Sequence, residues 1–462
     1  MNNSDSHPGK TLAGFAAGLT FDAIPDSVVR RAEDLCLDWV GSALAGKSAR
    51  PVEAITNFAE RMGPGSGTSE ILVTRHMTSP LFAALVNAAA SHVVEQDDLH
   101  NSSVLHPGSV VFPPALAIAQ ESGSSGREFL SAVVAGYEVG VRVGEYLGRS
   151  HYDNFHTTGT VGTLAAAAAS GRLLGLDSER MLHAIGSAAT QAAGLWAFLR
   201  EAADSKQLHT AKAAANGVIA AYLSADGFTG AQRILDGEQG LGIAMSDNTH
   251  PEALTDRLGE RWALAETSFK FHASCRHTHP AADALLAVLE EHNFGAGDIA
   301  KVTAHVHRAA LDVLGAVGTP QTVHQAKFSM GTVLAVIALR RSASVNDFEN
   351  CLNDPAVADF RDRVSMMIDA EVDAAYPARW LGRVTVTLND GSELRGSIDE
   401  PRGDPGNSLN RNDLETKFRE LAAFRNGAMD AEANRIIDWV WSLEGAENIG
   451  RLLQDREPAR DT

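Results

Sequence analysis

Apolar positions recur at helical spacing through most of the first 247 residues, with Gly, Pro and Asp at the breaks. The pattern predicts helices over residues 27–45, 80–93, 127–147, 161–174, 178–194 and 207–224. Two of them are rich in small residues, alanines 165–169 and Ala211, Ala213, Ala214 and Ala215, which suits close helix packing. Gly136, Gly140, Gly144 and Gly148 repeat every four residues and read as helix-packing positions, because no strand precedes them as a dinucleotide fingerprint would require. After Thr249 the period changes. Val302, Ala304 and Val306 alternate with Thr303, His305 and His307, the two-residue period of a half-buried strand. Residues 383–388 and 392–398 flank Asn389, Asp390 and Gly391, a strong hairpin signal. Helical stretches are expected over 327–341 and 356–370, a linker over 400–412, and a helical tail over 414–453.

The expected fold is therefore mainly α with an α+β insertion. A large helical domain is built from both chain ends, 1–265 with 401–462, and 266–400 forms a smaller α+β domain placed as a lid. A length of 462 residues accommodates this, at roughly 150 residues per domain. With 44% hydrophobic and 21% charged residues the chain is in the ordinary globular range, and its net charge of −19, with no basic patch, argues against nucleic-acid binding. Cys36, Cys275 and Cys351 are too few and too scattered for a disulfide framework and suit a reducing, cytoplasmic setting. The first residues lack the pattern of a signal peptide. The most apolar stretch, 161–175, contains Ser170, Gly171 and Arg172 and falls short of the roughly 20 apolar residues of a membrane span.

Four polar constellations interrupt the apolar text. Glu95, Asp97, Asp98, His100 and His106 lie within twelve residues between two apolar runs, a setting that pulls pKa values apart. His151, Asp153, His156, Thr158 and Thr160 lead into the alanine-rich helix, whose N-terminus favours an anion. Lys206 and His209 open another small-residue helix, and only eight of the 39 basic residues are lysines, so Lys206, Lys270 and Lys327 stand out. The fourth runs from Phe269 through Lys270, His272, Cys275, Arg276, His277 and His279. Its imidazoles and thiol invite a zinc reading, which the spacing does not support. The chain also lacks a phosphate loop and the nucleophile elbow of an α/β-hydrolase.

In their order and separation, the stretches EQDDLHNSSVLHPGSVVFPPALA from Glu95, FHTTGTVGTLAAAAASGRLLGLD from Phe155, SKQLHTAKAAANG from Ser205 and FKFHASCRHTHPAADA from Phe269 resemble the MmgE/PrpD family. This family includes 2-methylcitrate dehydratases, cis-aconitate decarboxylases and iminodisuccinate epimerases. The resemblance spans nearly the whole chain. It implies a homodimer, no cofactor or metal, and an interdomain cleft for a small di- or tricarboxylate. Motif by motif, it places His106, His156, Lys206 and Lys270 at active-site positions and Glu95, Asp97 and Asp98 in the family's acidic stretch. His100, Arg276 and His277 complete the expected substrate-binding set. Two departures stand out: Leu99 replaces a threonine, and Met330 falls where a tyrosine is expected.

The chemistry of that class matches these residue types. A proton beside a carboxylate is weakly acidic, so its removal needs a base and fixed positive charge for the enediolate-like charge that develops. Lys270 or His156 is expected as base, Lys206 and Arg276 as carboxylate binders, and His106 as acid or second base. Repulsion between two lysines is expected to lower one pKa enough for a neutral amine. A hydro-lyase or decarboxylase reading comes first and an epimerase second. A carboxylate-binding homologue without turnover is the remaining alternative.

Overall fold

The computed structural model describes residues 7–201, 203–292 and 294–453. It is mainly helical, with a small mixed sheet in the C-terminal part. The centre of the helical part is Thr157–Leu173, whose first fifteen residues are all buried. It lies against Gly126–Tyr152 and Ser205–Ala225, and glycines permit that closeness. A methyl group on Gly140 would stand 2.8 Å from Ala165 Cβ, and one on Gly217 would stand 2.3 Å from Ala166 Cβ. The regular glycines of Gly126–Tyr152 are thus packing positions, and Gly144 also admits Ser103 of the loop that carries the first polar constellation. Gly148 breaks this helix with a φ of 64°.

The tail returns to the helical part. Arg411–Ala423 lies along Asp26–Ala45, with Phe418 and Leu421 over Gly41. Lys417 forms a buried pair with Asp38 at 2.6 Å. Most expected helices are present with shifted ends, while 178–194 stops at Ala189 and gives way to turns.

The sheet has the order Val364–Ile368, Ile299–Val306, Gly382–Leu388, Glu393–Ile398, with the first pair parallel and the others antiparallel. Val302, Ala304 and Val306 turn inward with Val384 and Val386, against Leu285 and Leu289 of one helix and Leu334 and Ile337 of another. The expected hairpin is there, with Gly391 at a φ of 87°. The helix expected over 356–370 is half right. It ends at Arg361, and 364–368 is an edge strand, because pairing with Ile299–Val306 outweighs local helical preference. A second, unpredicted pairing joins Leu99–His100 to Thr267–Ser268 and ties the first polar constellation to the fourth. No helix among the described residues is long and apolar enough to cross a membrane.

The Gly217 contact yields a direct prediction. Gly217→Ala forces a methyl group into Ala166 and should cost about 1–3 kcal/mol or more, lowering the thermal midpoint read by circular dichroism. Gly18→Ala, with nothing within 4 Å of the added atom, should leave it nearly unchanged.

Candidate active site

The helix Pro80–His92 ends at a segment held from several sides. Lys327 Nζ donates to the Val94 carbonyl at 2.7 Å, and Lys417 Nζ donates to the Gln96 carbonyl at 2.9 Å. Between them Glu95 has a φ of 59°, a left-handed conformation that a glutamate adopts only when its surroundings enforce it. The small pairing of Leu99–His100 with Thr267–Ser268 brings Lys270 alongside, and the first turn of Ser205–Ala225 supplies Lys206.

These elements create a buried charge bridge. Lys206 Nζ donates to Glu95 Oε1, and Lys270 Nζ donates to Oε2 at 2.9 Å. All three side chains are at most 2% exposed. Burial alone would favour a neutral glutamic acid, but the ammonium groups of Lys206 and Lys270 override it and hold the Glu95 carboxyl well below its ordinary range. Burial pulls Lys270 down, yet Glu95 and then Asp97 outweigh it, and its pKa ends above the ordinary value. The direction at Lys270 is opposite to that expected of a neutral lysine amine, because a carboxylate separates the two cations. Lys327 is different: burial lowers it to about 8.

Beside the bridge lies a group of neutral imidazoles. His92 Nδ1 is 2.6 Å from Asp97 Oδ2, and His106 Nδ1 is 3.3 Å from the same oxygen. His106 Nδ1 also lies 2.8 Å from the Asp98 carbonyl, which can only accept, so Nδ1 carries the proton and Nε2 keeps its lone pair. Burial lowers His106, and lowers His92 to about 4, in both cases against the attraction of Asp97. His156 stacks on His92 with ring centroids 5.6 Å apart, and burial, then the neighbouring imidazoles and Lys206, hold it well below its ordinary value. Asp98 is anchored elsewhere: Gly108 N–H donates to Oδ1 at 2.8 Å and Tyr137 O–H to Oδ2 at 2.5 Å.

A cavity of about 20 Å³, room for roughly one water, lies where these groups meet. Glu95, His106, His156, Lys206, Arg276 and His277 line it. Lys270, Asp97 and Asp98 lie outside that lining, as supports of the groups that face it. His100 is turned aside, with Nδ1 3.0 Å from Ser103 Oγ, and borders a separate cavity of about 210 Å³. Leu99 lines the inner cavity as the departure at that position implied, whereas Met330 does not; Phe328 lines it from that segment. Arg276 already pairs with Asp404, which also accepts from Ser268 Oγ at 2.6 Å.

The zinc candidates of the fourth constellation are engaged separately. His272 Nε2 meets Asp283 at 2.7 Å, His277 Nδ1 lies 3.4 Å from His307 Nε2, and burial pushes the Cys275 thiol up to about 11. His92, Asp97 and His106 do gather their ligand atoms within 4.8 Å. Two ligands of one tetrahedral zinc stand about 3.3 Å apart. The 2.6 Å separation of His92 and Asp97 is that of a hydrogen bond, and His106 Nδ1 faces a carbonyl.

Several site residues escaped the sequence reading. His92 sits at the end of an apolar helix, and Asp404 lies in what reads as a linker. Neither has a local signal. Tyr152, Trp196 and Trp380 also wall the cavity. Tyr152 and Trp196 also line an outer cavity of about 910 Å³.

Residues 10–254 match the MmgE/PrpD N-terminal domain and residues 272–443 the MmgE/PrpD C-terminal domain. Among curated relatives, a cis-aconitate decarboxylase-like protein of Aspergillus oryzae is 29% identical, over 96% of this chain and 95% of that protein. A cis-aconitate decarboxylase of Aspergillus terreus is 26% identical, covering 98% of this chain and 96% of its own length. The cis-aconitate decarboxylase of Homo sapiens is 27% identical, covering 95% and 90%.

Burial, reinforced by the Asp97 charge, pushes Asp98 from 3.8 up to about 8 despite the bond from Tyr137. Between those values the folded chain holds a proton that the unfolded chain has released, so this group's stabilisation is complete below 3.8 and drains as pH rises to about 8. Asp98→Asn removes that slope. Thermal melts from pH 5 to pH 8 should show the variant gaining on the parent as pH rises, and a constant gap would contradict the assignment.

Proposed function

The chain belongs to the MmgE/PrpD family, and on that premise we propose a cofactor-independent lyase that moves a proton next to a carboxylate of a small di- or tricarboxylate. One observation carries this reading: a fixed, buried lysine pair bridged by Glu95 stands beside imidazoles whose neutral forms are favoured. Lys206 and Arg276 offer positive charge to substrate carboxylates at the cavity wall. Lys270, kept cationic by Glu95, adds a fixed field for enediolate-like charge. That leaves proton transfer to His106 or His156.

In a decarboxylation the carbon–carbon bond to the departing carboxylate breaks, carbon dioxide leaves without the bonding pair, and that pair is capped by a proton from a histidine ring. In a dehydration an imidazole takes the proton beside the carboxylate, and the hydroxyl on the next carbon accepts a proton back from a histidine ring and departs as water. The names of the curated relatives favour the first and a tricarboxylate substrate. A second reading, epimerisation, is supported by the presence of two neutral imidazoles on separate segments, since reprotonation from the opposite face requires a second acid.

Pockets for small ligands generally enclose about 300–1,000 Å³. The inner cavity is far smaller, so substrate admission requires the walls to part. We assign that movement to 266–400, which contributes Cys275, Arg276, His277, Phe328 and Trp380, acting as a lid over the helical part formed by 1–265 and 401–462. A homodimer in the cytoplasm remains part of this proposal.

The test is incubation with cis-aconitate, 2-methylcitrate and iminodisuccinate in deuterated water, followed by NMR. Carbon dioxide release with one deuteron on carbon in the product, or water loss to give an alkene, supports a lyase, and label incorporation without elimination supports the epimerase. No turnover and no exchange with any of the three would overturn the proposal. For the active substrate, Lys270→Ala should lower kcat on the order of 100-fold or more. A carboxylate-binding protein without turnover would instead show binding by calorimetry alone.

A further inference from the structure

His209 belongs to no part of the mechanism so far. It lies one turn after Lys206 on Ser205–Ala225, half-buried, over Gly159 and Gly194, where added side chains would collide with it. Its Nδ1 stands 3.3 Å from His156 Nδ1. Two Nδ1–H groups cannot face each other at that separation, and two bare lone pairs would repel, so the contact is stable with one proton between them. That proton decides what the other side of the ring offers. With it on His156 Nδ1, the His156 Nε2 lone pair is a base. With it on His209 Nδ1, neutral His156 carries its proton on Nε2 and is an acid. His156 Nε2 is buried with no protein partner, and His156 lines the inner cavity.

We propose that His209 is the positioning residue that sets the tautomer of His156 and passes protons between it and solvent. This rests on the reading of His156 as a proton-transfer group. When the cavity needs an acid, a proton arrives at His209 Nε2, the Nδ1 proton crosses to His156 Nδ1, and the Nε2 proton of His156 goes to the substrate carbanion. One proton enters, one leaves, and both rings end neutral in the opposite tautomer. Deprotonation of the substrate runs the same path backwards.

The groups around the pair fit this use. His156 faces His92, His106 and Lys206, while His209 faces Lys212 and Lys206. Every charged neighbour named is a cation or an imidazole, which disfavours a lasting imidazolium on either ring and favours a proton that moves on. Lys212 itself is held by the Gln191 carbonyl at 2.7 Å. Trp196 and Phe198 flank the rings and leave them few other polar partners, with His156 and Trp196 centroids 5.1 Å apart and Phe198 and His209 centroids 5.4 Å apart.

The test has two parts. In the full chain labelled with ¹⁵N-histidine, NMR should show one protonated Nδ1 in the His156–His209 pair. Both rings protonated only on Nε2 would overturn the proposal without any assay of activity. On the active substrate, His209→Phe should lower kcat about tenfold or more with KM within about twofold and a displaced pH profile, since it removes proton supply and not substrate contact. His209→Asn, which places an amide near Nδ1 but cannot relay, should restore the His156 ¹⁵N pattern while leaving kcat low. Unchanged kcat and an unchanged pH profile in a folded His209→Phe variant would contradict the relay. If no substrate is found, the first part still decides the tautomer assignment.

Discussion

A single carboxylate between two buried ammonium groups sets the terms for the rest of this structure. Removing an ion from water costs several kcal/mol even after a protein relaxes around it. Glu95, Lys206 and Lys270 are all buried, so each is tolerable only in the presence of the others. This explains why the surrounding segment is restrained so heavily. Lys327 and Lys417 hold the carbonyls on either side of Glu95, Asp97 is shared by two imidazoles, and Asp98 is bonded to Gly108 and Tyr137. Lys417 comes from the tail and Lys327 from the α+β part. The bridge is therefore built by segments that are far apart in the chain, and the left-handed backbone at Glu95 is imposed by all of them together.

The bridge also divides the chemistry. A lysine beside another lysine tends to lose its proton, and a carboxylate between them reverses that tendency. In the proposed mechanism the lysines supply fixed positive charge, and the imidazoles, which burial keeps neutral, accept or give the proton. The nearly closed cavity follows from the same arrangement, since tightly paired ions and stacked rings leave little space. A substrate that brings its own carboxylates supplies new partners for Lys206 and Arg276 as the walls part, which links the proposed lid movement to recognition.

Much of this was legible from the residues. The long helices, the alternating strand at 302–306 and the Asp-Gly hairpin carry local periodicity or turn chemistry, and each is present. Glu95, His106, His156, Lys206, Arg276 and His277 came from polar clusters set in apolar text, and they share one cavity. What escaped has no local signature. His92 and Phe328 look like ordinary residues of apolar segments, and Asp404 sits in a stretch rich in Pro, Gly and Asn that reads as a linker. The strand at 364–368 could be recognised only with its partner at 299–306. The charge state of Lys270 depended on a carboxylate 175 positions away in the chain.

The most direct measurement of the central claim is neutron diffraction from deuterium-exchanged crystals, which locates each exchangeable proton. The account predicts three deuterons on Lys270 Nζ, none on the Glu95 carboxylate, and one on His106 at Nδ1 with Nε2 bare. A deuteron on Glu95 or a neutral amine at Lys270 would contradict it, because the fixed positive charge assigned to the bridge would then be absent.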